Sequence, residues 1–120
     1  MVVLLVDDNV QVLDLVGTVL KAEGYEVLAS DGGQAALEMS RNKSGFIDLL
    51  LTDDDMPQMN GLELCRRMKA ERPGTQVLMM SGRDNVSGLP FLQKPFTAKD
   101  LRTSIEALLC VAPSVQELEV

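Results

Sequence analysis

Two places in this chain collect carboxylates: Asp7 and Asp8 side by side, and Asp53, Asp54 and Asp55 in a row. Both follow short apolar runs, and one hydroxyl, Ser81, and one lysine, Lys94, follow two more. Carboxylates that converge in a small cleft repel one another and stay ionised only beside a cation. A hard divalent ion removes that repulsion, and Mg²⁺ takes a few carboxylates, waters and a substrate phosphate. A carboxylate can also act as a nucleophile and form an acyl phosphate. Phosphoryl transfer then needs charge compensation on the equatorial oxygens. Mg²⁺ (or Mn²⁺), the Lys94 ammonium and the Ser81 hydroxyl would supply it. His is absent, which excludes imidazole acid–base catalysis and His-ligated metals. Two cysteines, Cys65 and Cys110, are too few for a zinc site or a disulfide framework, and both read as buried thiols.

These groups act together only if the chain brings them to one edge. Val2–Val6 is a continuous apolar run, the pattern of a strand covered on both faces. Val12, Leu13, Val16, Val19 and Leu20 then recur at helical spacing, with Gly24 just past the helix end. Tyr25–Ala29 reads as a second strand, Gly33 to about Ser40 as a short helix and Ile47–Thr52 as a third strand. Asn60 with Glu63 forms a capping-box signal for the next helix, which "RPG" at Arg72–Gly74 ends. Val77–Met80 and Phe91–Gln93 are the last strands, and Thr97 with Asp100 opens the last helix. Strands alternating with helices predict an α/β fold with a doubly wound parallel sheet. In such a sheet a ligand site lies beyond the carboxyl ends of the strands. Asp7, Asp8, Asp53, Ser81 and Lys94 all fall there. Within "DDD", alternation at a strand end predicts that Asp54 points away into solvent while Asp55 points back toward the metal.

The chain has 120 residues, which fits one domain, and a net charge of −7. That balance argues against direct binding to nucleic acid or an anionic membrane. No secretory leader pattern and no run of membrane-spanning length is present, so a reducing cytoplasm is the expected compartment. The expected domain covers residues 1–112, with 113–120 as a loosely held tail.

The strand-end motifs are "VDD" at Val6–Asp8, "LLTDDDMPQMNGLEL" at Leu50–Leu64, "VLMMSG" at Val77–Gly82 and "FLQKPF" at Phe91–Phe96. Their order resembles the receiver domain of two-component response regulators over residues 2–110. The resemblance implies a flavodoxin-like sheet of five parallel strands in the order 2-1-3-4-5 with helices on both faces, the order found in the family's chemotaxis regulator. The resemblance further implies that Asp53 accepts the phosphoryl group and that Asp7, Asp8, Asp53 and the Asp55 backbone carbonyl hold Mg²⁺. By the same likeness Ser81 is the switch hydroxyl, Lys94 pairs with the phosphoryl group, Phe91 is the aromatic that swings, and Lys94–Pro95 is cis. A histidine kinase or phosphotransfer protein is the implied donor, and signalling proceeds by a surface or association change without an output domain.

Two departures stand out. Only 13 positions separate Ser81 from Lys94, and "SGRDNVSGLPFLQK" has no helical period. The family's fourth helix is therefore expected to be absent or reduced. Either a bare loop crosses from Ser81 to Pro90, or the last strand and helix swap into a homodimer. The second departure is Asp55, two positions after the acceptor, with Arg83 two positions after Ser81. Both are expected to tune the phosphoryl group's lifetime, and they are placed to pair. Two other functions compete. A phosphorylation-independent interaction module is favoured by the missing helix and opposed by the complete acidic set. A Mg²⁺-dependent phosphatase using Asp53-x-Asp55 is opposed by the position of that pair after the third strand rather than the first.

Overall fold

β1 (Val2–Val6) is apolar at every position because helices cover both of its faces. Leu4 and Val6 point to one side and Val3 and Leu5 to the other, and all four are fully buried. The same alternation runs through β3 (Leu49–Asp53) and β4 (Gln76–Ser81), which splits the core into two layers. Leu4, Val6, Leu50, Val77 and Met79 pack with α2 (Gly33–Asn42) and α3 (Gly61–Glu71). Val3, Leu5, Leu49, Leu51, Leu78 and Met80 pack with α1 (Val10–Ala22) and α4 (Ala98–Leu109). Each fully buried leucine contributes about 1.5–3 kcal/mol relative to exposure. Cys65 belongs to the first layer, and burial pushes its thiol up to about 12, as expected of an inert core cysteine.

The computed structural model describes residues 1–82 and 88–109. Cys110, Arg83 and the expected tail 113–120 lie outside the described residues. With β2 (Glu26–Ser30) and β5 (Phe91–Gln93), the five strands form one parallel sheet in the order β2-β1-β3-β4-β5. This is the flavodoxin-like order the motifs imply.

Strand boundaries differ slightly from expectation. β2 begins at Glu26 rather than Tyr25, because the Tyr25 amide still donates to Leu20 and closes the end of α1. β3 begins at Leu49 rather than Ile47. Before it, the Thr75 hydroxyl donates to the Ile47 carbonyl and Asp48 bonds the Val2 amide through its side chain.

The helix ends follow their caps. Asn9 Oδ1 accepts from the amides of Gln11 and Val12, and Gly24 follows α1 at a φ of +92°. Thr97 and Asp100 close a reciprocal capping box, each side chain accepting from the other's amide. The box predicted at Asn60 is half formed. Asn60 accepts from the Glu63 amide, but the Glu63 carboxylate turns to Arg66 and Arg67, which hold it down at about 2.

Four helices are present among the described residues, and none lies between β4 and β5. Leu89, just before β5, packs against the α2/α3 layer. β5 pairs with β4 of the same chain, Met79 opposite Phe91 and Ser81 opposite Gln93. No described helix is long and apolar enough to cross a membrane.

Candidate functional site at the carboxyl edge of the sheet

Asp7 follows β1, Asp53 ends β3, Ser81 ends β4 and Lys94 follows β5, so parallel pairing alone delivers them to one edge. Asp7, Asp8 and Asp53 each offer a carboxylate oxygen, and these oxygens lie within 4.8 Å of one another. Asp7 is fully buried and Asp53 nearly so, while Asp8 is exposed. Asp7 is oriented from below, its Oδ1 accepting from the Asn9 amide at 2.9 Å. Three hard oxygen donors with one open side suit a small divalent cation that keeps some of its waters.

Lys94 reaches into this cluster. Its Nζ donates to Asp7 Oδ2 at 3.1 Å and to Asp53 Oδ1 at 3.2 Å. Burial pushes the Asp53 carboxyl above the usual range. The Lys94 charge opposes that shift, and Asp7 and Asp54 add to it. Burial works to lower the Lys94 ammonium as well. Its bond to Asp7 and the charge of Asp53 outweigh burial and hold it above the ordinary lysine value. The site therefore gathers the Lys94 ammonium, bonded to Asp7 and Asp53, with the carboxylate of Asp8 close by. The Lys94–Pro95 bond is cis, as the resemblance implies.

The β3–α3 loop carries Asp54 to Asn60 and is fixed by close packing. A Cβ on Gly61 would press into the Asp53 carbonyl oxygen and stand 2.9 Å from Asp54 Cα. The Gly61 amide in turn donates to the Asp54 carbonyl at 3.0 Å. Gln58 has a φ of +69°, and the Met59 amide donates to Pro57 at 2.8 Å, which makes a tight three-residue turn. Met59 then lies where a side chain on Gly33 would have to be, so the loop seats on the start of α2.

Two expectations about the three consecutive aspartates need correction. Asp54 is not a solvated residue: it is half-buried, and its Oδ2 accepts from Ser81 Oγ at 2.8 Å. Alternation does turn Asp54 away from Asp53, but toward the α2/α3 layer, the side that Val77 and Met79 also face. The register Asp53 opposite Met80 puts Asp54 beside Ser81, and the Asp54 amide donates to Met80. Asp55 is exposed, and its side chain is outside the three-carboxylate group. Arg83, its expected partner, lies outside the described residues. Phe91 is half-buried against the α2/α3 layer. Reasoning from the sequence passed over Gly61 and placed Asp54 in solvent rather than in the site.

Residues 3–106 match the response regulator receiver domain family. The chain belongs to that family. Its five-stranded parallel sheet and strand order are those of receiver domains, with four helices among the described residues. Response regulator MprA of Mycobacterium leprae is 35% identical over 117 residues, covering 89% of this chain and 50% of MprA. Transcriptional regulatory protein CpxR of Escherichia coli is 34% identical over 116 residues, covering 89% of this chain and 48% of CpxR. The chain thus spans about half the length of these curated relatives. The receiver domain of the hybrid histidine kinase CckA superposes with a TM-score of 0.82 at 32% identity, over 91% of this chain and 99% of that one. TrrA of Thermotoga maritima, solved in complex with Mg²⁺–BeF, gives 0.80 at 26% identity, over 90% and 98%. This receiver domain is a two-component signal-transduction module with four helices among its described residues.

Proposed function

We propose that this receiver domain takes a phosphoryl group onto Asp53 from a phosphohistidine of a histidine kinase or phosphotransfer protein. The observation that carries the reading is the meeting of Asp7, Asp8 and Asp53 carboxylates with the Lys94 ammonium at one sheet edge. An Asp53 oxygen attacks phosphorus, the phosphorus–nitrogen bond breaks, and the departing imidazole nitrogen keeps the electron pair and takes up a proton. Asp7, Asp8, Asp53 and the Asp55 carbonyl would hold Mg²⁺, which when bound would neutralise charge on the transferring group. Lys94 is placed to donate to a phosphoryl oxygen, since it already bonds the acceptor carboxylate. Asp7 holds Lys94 in that position and is itself fixed by the Asn9 amide. The Ser81 hydroxyl donates a hydrogen bond to the phosphoryl group once formed, and Asp55, two positions after Asp53, and Arg83, two positions after Ser81, tune how fast water removes the group.

The short crossover between β4 and β5 bears on how the state is reported. With no helix there among the described residues, α3, whose first residue lies against the Asp53 carbonyl, is an element beside the site that can present a change to a partner. Incubation with acetyl phosphate tests the chemistry. Phosphorylation is expected with Mg²⁺, and not with EDTA or in Asp8→Asn. Equal modification with and without a divalent ion would overturn the proposed role of the three carboxylates.

A further inference from the structure

Resting on the phosphoacceptor reading above, we propose that Asp54 is a latch that holds the Ser81 hydroxyl away from Asp53 until the acceptor is modified. Ser81 Oγ donates to Asp54 Oδ2 at 2.8 Å, a distance typical of a hydroxyl bonded to a carboxylate. A serine hydroxyl has one proton to donate. It serves either the Asp54 carboxylate or an oxygen of a group on Asp53. The two positions are exclusive by proton count.

The latch is built into the sheet. The parallel register places Asp53 opposite Met80, and the Asp54 amide donates to the Met80 carbonyl, so Asp54 and Ser81 stand side by side on adjacent strands. Both point to the α2/α3 side, whereas Asp53 and Lys94 meet on the other. A hydroxyl turning to Asp53 must therefore leave Asp54.

Release also reaches α3. The Asp54 carbonyl accepts from the Gly61 amide, the first residue of α3, and Gly61 lies against the Asp53 carbonyl. One residue thus bonds the switch hydroxyl through its side chain, β4 through its amide and α3 through its carbonyl. A change at Ser81 passes to α3 through Asp54, a route that needs no helix between β4 and β5.

Beryllofluoride with Mg²⁺ probes this as a stable stand-in for the phosphoryl group. Affinity is measured by calorimetry, and backbone amide spectra confirm that each variant is folded. Breaking a charge-assisted hydrogen bond opposes switching, so Asp54→Ala is expected to bind beryllofluoride about tenfold more tightly than wild type. Asp54→Asn keeps an amide oxygen for Ser81 and is expected to gain less. In a Ser81→Ala background, Asp54→Ala is expected to gain nothing, and the Gly61 and Leu62 amides no longer shift on binding. If Asp54→Ala gains equally with and without Ser81, Asp54 acts only as a repelling charge and the latch is overturned. If no variant binds beryllofluoride, the phosphoacceptor reading falls and the latch with it.

Discussion

Gly61 Cα lies so close to the Asp53 carbonyl that no side chain fits between them. The start of α3 is thereby seated directly on the residue that ends β3. The position of α3 and the position of Asp53 are thus tied.

Gly61→Ala is therefore expected to displace backbone rather than a flexible side chain. Overpacking of this kind costs about 1–3 kcal/mol. Denaturant unfolding should show that loss, and acetyl phosphate should modify the variant more slowly than wild type. A variant of unchanged stability and rate would show that the loop moves aside freely.

Lys94 is the cation already present among the three carboxylates. Lys94→Met removes both a donor for the transferring group and a competitor for Mg²⁺. Loss of one preorganised donor slows transfer by about 10²-fold. Mg²⁺ affinity should rise several-fold at the same time, because the site loses a positive charge. Calorimetry and phosphorylation kinetics on one preparation check the opposite signs. A fall in both quantities would indicate that Lys94 holds the carboxylates in place.

Stability without a divalent ion should depend on Asp53 in a pH-specific way. Burial, with the charges of Asp7 and Asp54, raises the folded carboxyl above its unfolded value of 3.8, although Lys94 opposes the rise. The folded chain then holds this proton more tightly than the unfolded chain. The group's contribution favours folding below the unfolded value and is lost as pH rises through the folded one. Asp53→Asn should accordingly raise the melting temperature by a few degrees at pH 7 in EDTA, with little difference at pH 3. Added Mg²⁺ should close the gap at pH 7 by stabilising wild type. Thermal melts in the four conditions test the sign, and a lower melting temperature for Asp53→Asn at pH 7 in EDTA would contradict it.

At the opposite edge of the sheet, Arg72 anchors the segment that leads into β3. Its guanidinium donates to Ser40 Oγ and to the carbonyls of Ser40, Lys43 and Gly45 at 2.7–2.9 Å. Arg72→Ala leaves these acceptors without that donor and is expected to cost about 1–3 kcal/mol. Arg72→Lys should recover little, because an ammonium cannot span the same fan of acceptors. Phosphorylation by acetyl phosphate should be unchanged in the folded variant. A large rate loss at full stability would mean the two edges are coupled.

Much of this domain is legible in its residues, for identifiable reasons. Strands covered on both faces leave continuous apolar runs; those of β1, β3 and β4 lead to Asp7, Asp53 and Ser81, and β5 leads to Lys94. Asp7, Asp8, Asp53 and Lys94 can be gathered on that basis from the sequence alone. The short stretch after Ser81 likewise signals the reduced crossover, where no helix is present among the described residues. Asp54 cannot be read this way. Its bond to Ser81 depends on the register between β3 and β4, which pairs residues distant in sequence, whereas the alternation rule says only that Asp54 turns away from Asp53. Gly61 is hidden for a similar reason, because "NG" before a helix reads as an ordinary cap and its close approach to Asp53 is tertiary. Glu63 leaves its predicted capping partner because two guanidiniums, Arg66 and Arg67, lie within reach on the same helix.

The expectation is that Asp53, and not its two acidic neighbours, takes the phosphoryl group. Its most direct test is to phosphorylate the chain with acetyl phosphate and Mg²⁺, trap the acyl phosphate by borohydride reduction and sequence the modified peptide. One modified residue at Asp53, absent from Asp53→Asn, is the predicted result. Modification at Asp54 or Asp55, or an unmodified chain, would contradict the account.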